Sequence, residues 1–235
     1  MIDIHCHLLF GVDDGAKTIE ESVAMLKRAK SQNVDKLILT PHYRHGMFAH
    51  PTQTILQNFK SLQPIAKQLG VEIALGTEYH VNSDILSAIT TGRCFSLAGS
   101  KYVLCEYSHA TPYETMVRMT REILSGGFIP VLAHVERYAC IANDLEVAEQ
   151  LRELGALIQV NADAVLGLEG RGPKSFCKKM LKAGWVDVIA SDSHGLKERA
   201  CHMKECQLYV EKKFGTETAR KLFYETPQKI WSKTF

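Results

Sequence analysis

Residues 2–7 read Ile2-Asp3-Ile4-His5-Cys6-His7, and this stretch decides how the rest of the chain is read. A β-branched run closed by two histidines fits the end of a β-strand. Side chains at i and i+2 of a strand point to the same side. His5 and His7 can therefore aim both imidazoles at one point, as two metal ligands must. Cys6 then points away and packs. Alone, His-x-His supports a metal site no better than it supports a plain strand end. Weight comes from the rest of the chain, where His, Asp and Glu recur at the same place in a repeated unit.

Strands are predicted at 2–5, 36–40, 71–76, 101–105, 129–133, 157–160 and 186–190, from short apolar runs suited to buried parallel strands. Helices are predicted at 18–32, 52–69, 83–90, 112–124, 145–154 and 173–183, with two more at 198–214 and 216–224. Thr18 and Glu21 form a capping box, and Gly70 ends the second helix. Seven strand–helix units in alternation imply a parallel α/β sheet with helices outside it. Such crossovers are right-handed. The expectation is a single domain over residues 1–235, folded as a distorted (β/α)7 TIM-like barrel. A doubly wound open sheet is the rival. It would spread the residues that follow the strands along an edge, whereas a barrel gathers them at one mouth.

The 235 residues are 46% hydrophobic and 23% charged, enough for one sizeable core. A net charge of +2, with only small basic clusters such as Lys178-Lys179 and Lys212-Lys213, argues against a nucleic-acid binder. Seven cysteines without a Cys-x-x-Cys fit neither a disulfide framework nor a zinc ribbon. Neither a signal peptide nor an apolar run long enough to span a bilayer is found. The expectation is a cytoplasmic protein with reduced cysteines, no nucleic-acid partner and no membrane insertion. Nothing in the pattern decides for or against a homo-oligomer.

His5, His7 and Asp14 follow the first strand, and His42 the second. Glu78 follows the third, Glu106 the fourth, His134 the fifth, and Asp192 and His194 the seventh. One polar residue past a strand means little, but this many ligand-type residues past apolar runs point to a metal site. Nine donors exceed what one catalytic ion needs and suit two or three ions sharing bridging carboxylates. A His/Asp/Glu set favours Mn, Fe or Zn over Ca or Mg alone. Paired ions can hold a hydroxide and clamp phosphoester oxygens during in-line displacement. Arg137 and Arg199 lie just beyond His134 and His194. Each either grips phosphate in a bidentate fork or is a plain surface arginine, and spacing does not choose.

His45, His50, His80, His109 and His202 read as solvated or locally hydrogen-bonded. Tyr43, Phe48, Tyr79, Tyr107 and Tyr138 follow strand ends, where they either line the mouth or pack in the core. No cysteine has an arginine six positions later, and there is neither a Gly-x4-Gly-Lys-Ser/Thr loop nor a Gly-x-Ser-x-Gly elbow. Phosphoester chemistry here would run through metal ions and water.

Six segments carry a resemblance: Met-Ile-Asp-Ile-His-Cys-His, Val-Asp-Asp-Gly-Ala-Lys-Thr, Thr-Pro-His-Tyr-Arg-His-Gly, Gly-Thr-Glu-Tyr, Ala-His-Val-Glu-Arg-Tyr and Ser-Asp-Ser-His. They resemble the PHP (polymerase and histidinol phosphatase) superfamily. More closely, nearly the whole chain is similar to the bacterial manganese-dependent protein-tyrosine phosphatases of the CpsB/CapC family. The resemblance implies the PHP barrel and three metals, Mn first, with Fe, Zn or Mg as alternatives. It assigns His5, His7, Glu78 and Asp192 to the first ion, and Glu78, Glu106 and His134 to the second. Asp14, His42 and His194 go to the third, and Arg137 and Arg199 become phosphate-side arginines. The implied substrate is phosphotyrosine on a bacterial tyrosine autokinase that controls capsule or exopolysaccharide export. Val135, Cys6 and Gly195 depart from the family's usual residues, and none of them removes a ligand. Two rivals stand beside this reading. One is the same chemistry on a small metabolite, such as histidinol phosphate, or on a nucleic-acid end. The other is a metal-binding regulatory partner without turnover.

Overall fold

Nine strand segments stand where seven strands are expected, in a computed structural model that describes residues 1–232. They are β1 (Ile2–Cys6), β2 (Lys36–Leu39), β3 (His42–Tyr43), β4 (Glu72–Leu75), β5 (Glu78–His80), β6 (Tyr102–Glu106), β7 (Ile129–Leu132), β8 (Leu157–Asn161) and β9 (Val188–Ala190). Two of the expected strands are each broken in two. Pro41, which has no N–H to give the ladder, separates β2 from β3. Gly76 and Thr77 separate β4 from β5, and a Cβ on Gly76 would come within 2.9 Å of Ile38 and Leu97 side chains.

The pairings between named strands are parallel, in the orders β1-β2-β4 and β3-β5-β6-β7-β8-β9. The segment after β9 returns to β1. Cys6 and Ser193 form a parallel bridge, Asp192 N donates to His5 O at 2.9 Å, and His7 N donates to Ser193 O at 2.9 Å. The Asp3 carboxylate accepts from Ser191 N at 3.0 Å, which ties the same two segments. The sheet therefore curls, and the C-terminal ends of its first and last strands meet.

Long helices cover the outside, among them Ile19–Ser31, Thr52–Gln68, Tyr113–Ser125, Arg171–Ala183 and Met203–Phe214. Thr18 caps the first by accepting from Glu21 N, while the Glu21 carboxylate reaches back to Lys17 N rather than to Thr18. Residues 198–202 are not helical, against expectation, because Arg199 adopts φ 49° and its carbonyl accepts from His194 N. Short helices at Ala139–Asn143 and Ala162–Leu166 are additions. Past Arg220 the last helix widens into a π turn, Lys221–Glu225, before Thr226–Trp231.

The main core lies between sheet and helices. A second, smaller cluster fills the concave side, with Ile2, Ile4, Ile38, Leu104, Val131 and Val188 closed off by Leu97 and Ile230. Ile4 belongs to that inner cluster but Cys6 packs in the outer one, with its thiol 3.4 Å from Ile38 O. Face alternation must break between them, and it does. Asp3 pairs with Leu37 and Cys6 with Leu39, so β1 carries one extra residue. This bulge turns His5 and His7 to the same concave side as Ile4. Among the described residues no helix is long and apolar enough to cross a membrane.

Candidate metal centre

The nine candidate ligands stand late in the strands or in the loops just past them, with His42 and Glu78 opening the short segments β3 and β5 that continue β2 and β4, and the curl brings them together. His5, His7 and Glu78 are fully buried and Asp192 is nearly so. His5 Nε2 and His7 Nε2 face each other at 3.2 Å. Glu78 Oε2 lies 3.2 and 3.1 Å from these nitrogens, and Asp192 Oδ1 lies 3.3 and 3.5 Å away. A second group joins Glu78 to Glu106 and His42, whose Nδ1 is 3.0 Å from Glu78 Oε2. His134 Nε2 is 2.8 Å from Glu78 Oε1 and 4.0 Å from Glu106 Oε1. A third joins His7, Asp14, His42 and His194, with Asp14 Oδ1 3.4 Å from His194 and 3.5 Å from His42. His7 and His42 each belong to two groups, and His134 touches Glu78 without joining a compact one.

Which ring nitrogens are bare follows from the hydrogen bonds. Backbone N–H of His134 donates to Gln159 at 3.0 Å, so the atom that receives it is the amide oxygen. That same oxygen lies 3.1 Å from His5 Nδ1, so Nδ1 must be the donor. His7 Nδ1 donates to Asp13 Oδ2 at 2.7 Å, and His194 Nδ1 to the Asp192 carbonyl at 2.8 Å. In each neutral ring Nε2 is left with a lone pair aimed into the cluster. Glu78 Oε2, Asp192 Oδ1 and His194 Nε2 are shielded from solvent and make no hydrogen bond. Lone pairs and carboxylate oxygens converging without donors need cations, so this donor set fits divalent metal ions.

Electrostatics agree. Burial works against the Glu78 and Asp192 carboxylates, but the surrounding histidines, with Arg199 at Asp192, hold both well below the ordinary range. Burial, and then His7, pushes His194 down toward the neutral ring.

Backbone strain marks the same place. Among the described residues, five that are not glycine have positive φ, and three are His134 (34°), Asp192 (50°) and Arg199 (49°). Such conformations cost roughly 1–3 kcal/mol each and cluster at functional sites. Asp192 splits its two oxygens. Oδ1 faces His5 and His7, while Oδ2 takes Arg199 at 2.7 Å, Arg137 at 3.1 Å and Asn161 at 2.9 Å. Both arginines remain partly exposed, so they stand between the buried carboxylate and the mouth.

Sequence reasoning missed four supporting side chains. Gln159 and Asn161 sit two apart on β8, and Gln159 donates to Asn161 at 2.8 Å. A polar i, i+2 pair in an apolar strand is the signal that would have found them. Asp13 holds His7 and also accepts from His42 N. Glu169 receives Arg137 at 3.3 Å. Of the aromatics, Tyr43, Tyr79, Tyr107 and Tyr138 are buried packing, while Phe48 stacks on His42 with centroids 5.3 Å apart. His80, His109 and His202 each hold a local partner outside the cluster: Ser108, the Arg137 carbonyl and Asp163.

A fold and donor set of this kind have counterparts. A solved structure from the pair Bacillus subtilis YwqE and Streptococcus pneumoniae CpsB, described as metal-dependent tyrosine phosphatases, superposes with TM-score 0.90 at 28% identity, covering 100% of this chain and 96% of that one. The histidinol phosphate phosphatase of Lactococcus lactis shares the fold, with TM-score 0.62 at 15% identity over 91% of this chain and 93% of its own. In sequence, the S. pneumoniae tyrosine-protein phosphatase CpsB is 36% identical over 98% of both chains. B. subtilis YwqE, also named a tyrosine-protein phosphatase, is 29% identical over 92% of this chain and 86% of its own. The family model for capsular polysaccharide synthesis, CpsB/CapC, matches residues 1–232, and with that match over nearly its whole length the chain belongs to the CpsB/CapC family.

Proposed function

We propose that this protein is a metal-dependent phosphatase that hydrolyses phosphotyrosine on proteins, as its relatives' names state of them. The observation that carries the reading is Asp192, whose Oδ1 completes the histidine cluster while Oδ2 gathers two arginines at the rim. The nine segments then act as seven staves of one PHP barrel in a single domain. The metal ligands are His5, His7, Asp14, His42, Glu78, Glu106, His134, Asp192 and His194, enough for two or three ions. Manganese is the first choice, with Fe, Zn or Mg as alternatives.

Bound there, the ions supply Lewis acidity and an acidified water as nucleophile. The chain's own residues do the rest. Arg137 and Arg199 can each turn a guanidinium from Asp192 toward an entering phosphate and fork its oxygens. Glu78 and Asp192, buried and charged, keep the ions in place. Phe48, stacked on His42, offers an aromatic face to the substrate ring. Water adds to phosphorus, the P–O bond to the phenol breaks, and tyrosine and inorganic phosphate leave. The family's tie to capsular polysaccharide synthesis supports a bacterial tyrosine autokinase as partner, acting in the cytoplasm.

The test uses metal-stripped protein to which Mn, Fe, Zn or Mg is returned singly, with phosphate release from a phosphotyrosine peptide as readout. Activity should return with at least one metal. Glu106→Ala and His42→Ala should cut turnover by orders of magnitude in folded protein. Full metal content without phosphate release from any phosphoester would favour a non-catalytic partner instead.

A further inference from the structure

Among the described residues six large apolar side chains are exposed: Met47, Leu56, Leu168, Leu196, Leu208 and Tyr224. Three of them adjoin the candidate centre. Met47 precedes Phe48, the residue stacked on His42, in a turn closed by Arg44 N donating to Phe48 O at 2.8 Å. Leu168 precedes Glu169, which holds Arg137. Leu196 lies between His194 and Arg199, both of the centre. These turns follow β3, β8 and β9, so all three side chains stand at the C-terminal mouth. Leu196 also lines a cavity of about 580 Å³ that reaches the centre at Asp14 and His194 and has Met25 on its wall.

Isolated exposed apolar residues are ordinary, but exposed apolar surface gathered around a site marks contact with a partner. Among the described residues nothing covers these three, which are 62%, 61% and 48% exposed. Charges of both signs stand nearby: Arg44, Arg171, Lys197 and Arg199 with Glu169 and Glu198. We propose that Met47, Leu168 and Leu196 receive the polypeptide on either side of the phosphotyrosine, so that preferred substrates carry apolar side chains next to the phosphorylated residue. This rests on the phosphotyrosine reading above and names what that site selects. A small phosphate ester fills the centre without touching this apolar collar. A polypeptide has to cross it.

The experiment compares kcat/KM for three substrates: p-nitrophenyl phosphate, a phosphotyrosine peptide with Leu and Val flanks, and the same peptide with Ser and Asp flanks. Wild-type enzyme is set beside the triple variant Met47→Ser, Leu168→Ser, Leu196→Ser, with metal content and oligomeric mass measured for both. The wild type should prefer the apolar peptide. The variant should lose roughly tenfold on it, a loss typical of removing apolar contact anchors, and keep its rate on p-nitrophenyl phosphate. Equal rates on the two peptides in wild type, or a parallel fall on all three substrates in the variant, would overturn the proposal. So would a changed oligomeric mass with unchanged selectivity, which would make the collar a contact between copies. Wild-type protein that splits p-nitrophenyl phosphate but neither peptide would instead sink the phosphotyrosine reading itself.

Discussion

Gln159 Oε1 accepts from His5 Nδ1 at 3.1 Å, and so decides which nitrogen of His5 faces the cluster. The backbone N–H of His134 pins the same oxygen, so the amide cannot flip without losing that bond. Partners that orient a ligating ring typically change metal affinity about 10–100-fold when removed. Gln159→Leu should therefore weaken metal binding by that order, measured by titrating Mn into stripped protein whose fold is checked by circular dichroism. Gln159→Glu keeps the acceptor for His5 and His134 and should retain more affinity. Equal affinity in the Leu variant and the wild type would remove Gln159 from this role.

Gly15 should be irreplaceable for a local reason. A Cβ there would meet the His7 carbonyl oxygen at 2.0 Å and the His7 Cβ at 2.5 Å. The close approach lets Asp13 reach His7 Nδ1 while Gly15 N donates back to Asp13 at 2.9 Å. Gly15→Ala must push the loop off His7. We expect a lower melting temperature and lost metal. Gly46→Ala, where nothing lies within 4 Å, should cost only the strain of its positive φ and leave metal content unchanged.

The benefit that metal brings to stability should grow with pH. Burial alone would lower the His7 pKa, but Asp13, Asp192 and Glu78 outweigh it and hold the ring well above its ordinary value. His5 is raised too, by Glu78 and Asp192 against burial. Two N–H groups cannot face each other at 3.2 Å, so the facing nitrogens hold at most one proton between them, present when one of the rings is charged. A raised histidine stabilises the fold below its unfolded pKa, and that contribution is lost as pH rises through the folded one. Stripped protein should therefore melt lower at about pH 9 than at about pH 6.5. Metal has to displace that proton, so its affinity rises with pH. The gap between melting temperatures with and without Mn should widen from the lower pH to the higher. A gap that narrows would contradict this arrangement.

Thiol reagents should leave the activity alone. Burial pushes the thiols of Cys105, Cys177, Cys201 and Cys206 far up, and Cys94 up to about 12. Alkylation needs the thiolate and access to it. Folded enzyme treated with iodoacetamide near neutral pH should keep its turnover, whereas a cysteine-dependent phosphatase would lose it.

Much of this was legible because the repeat itself carries the chemistry. A buried parallel strand announces itself as an apolar run, and the first polar residue beyond it falls at the mouth, which is why His42, Glu78, Glu106 and His134 could be picked out. What depended on loop course could not be. Asp13 and Asp14 are neighbours in sequence, yet one holds His7 from behind and the other faces His42 and His194. No periodicity separates them. Glu169 lies in a turn whose direction comes from tertiary packing. The expected helix start at residue 198 failed because the chain there bends back to His194, a hydrogen bond invisible to propensity. The tyrosines were undecided for a related reason, since a strand-end aromatic suits a mouth and a core equally, and packing put four of them inside.

Arg137 and Arg199 offer the sharpest separation of binding from structure. Both end on Asp192 Oδ2, which Asn161 also reaches, so removing either guanidinium leaves that oxygen with two of its three donors. Asp192 Oδ1, the atom among the histidines, keeps its place. Metal content should therefore survive Arg137→Ala and Arg199→Ala. Turnover should not, because a positioned group that meets developing charge on phosphate is worth about 10²–10³ in rate. Lysine restores the charge but not the planar fork, so Arg137→Lys should recover only part of the loss. Inhibition by inorganic phosphate gives a second readout, and its constant should rise in both Ala variants. Full metal, full activity and unchanged phosphate inhibition in both would mean that these arginines serve only to brace Asp192.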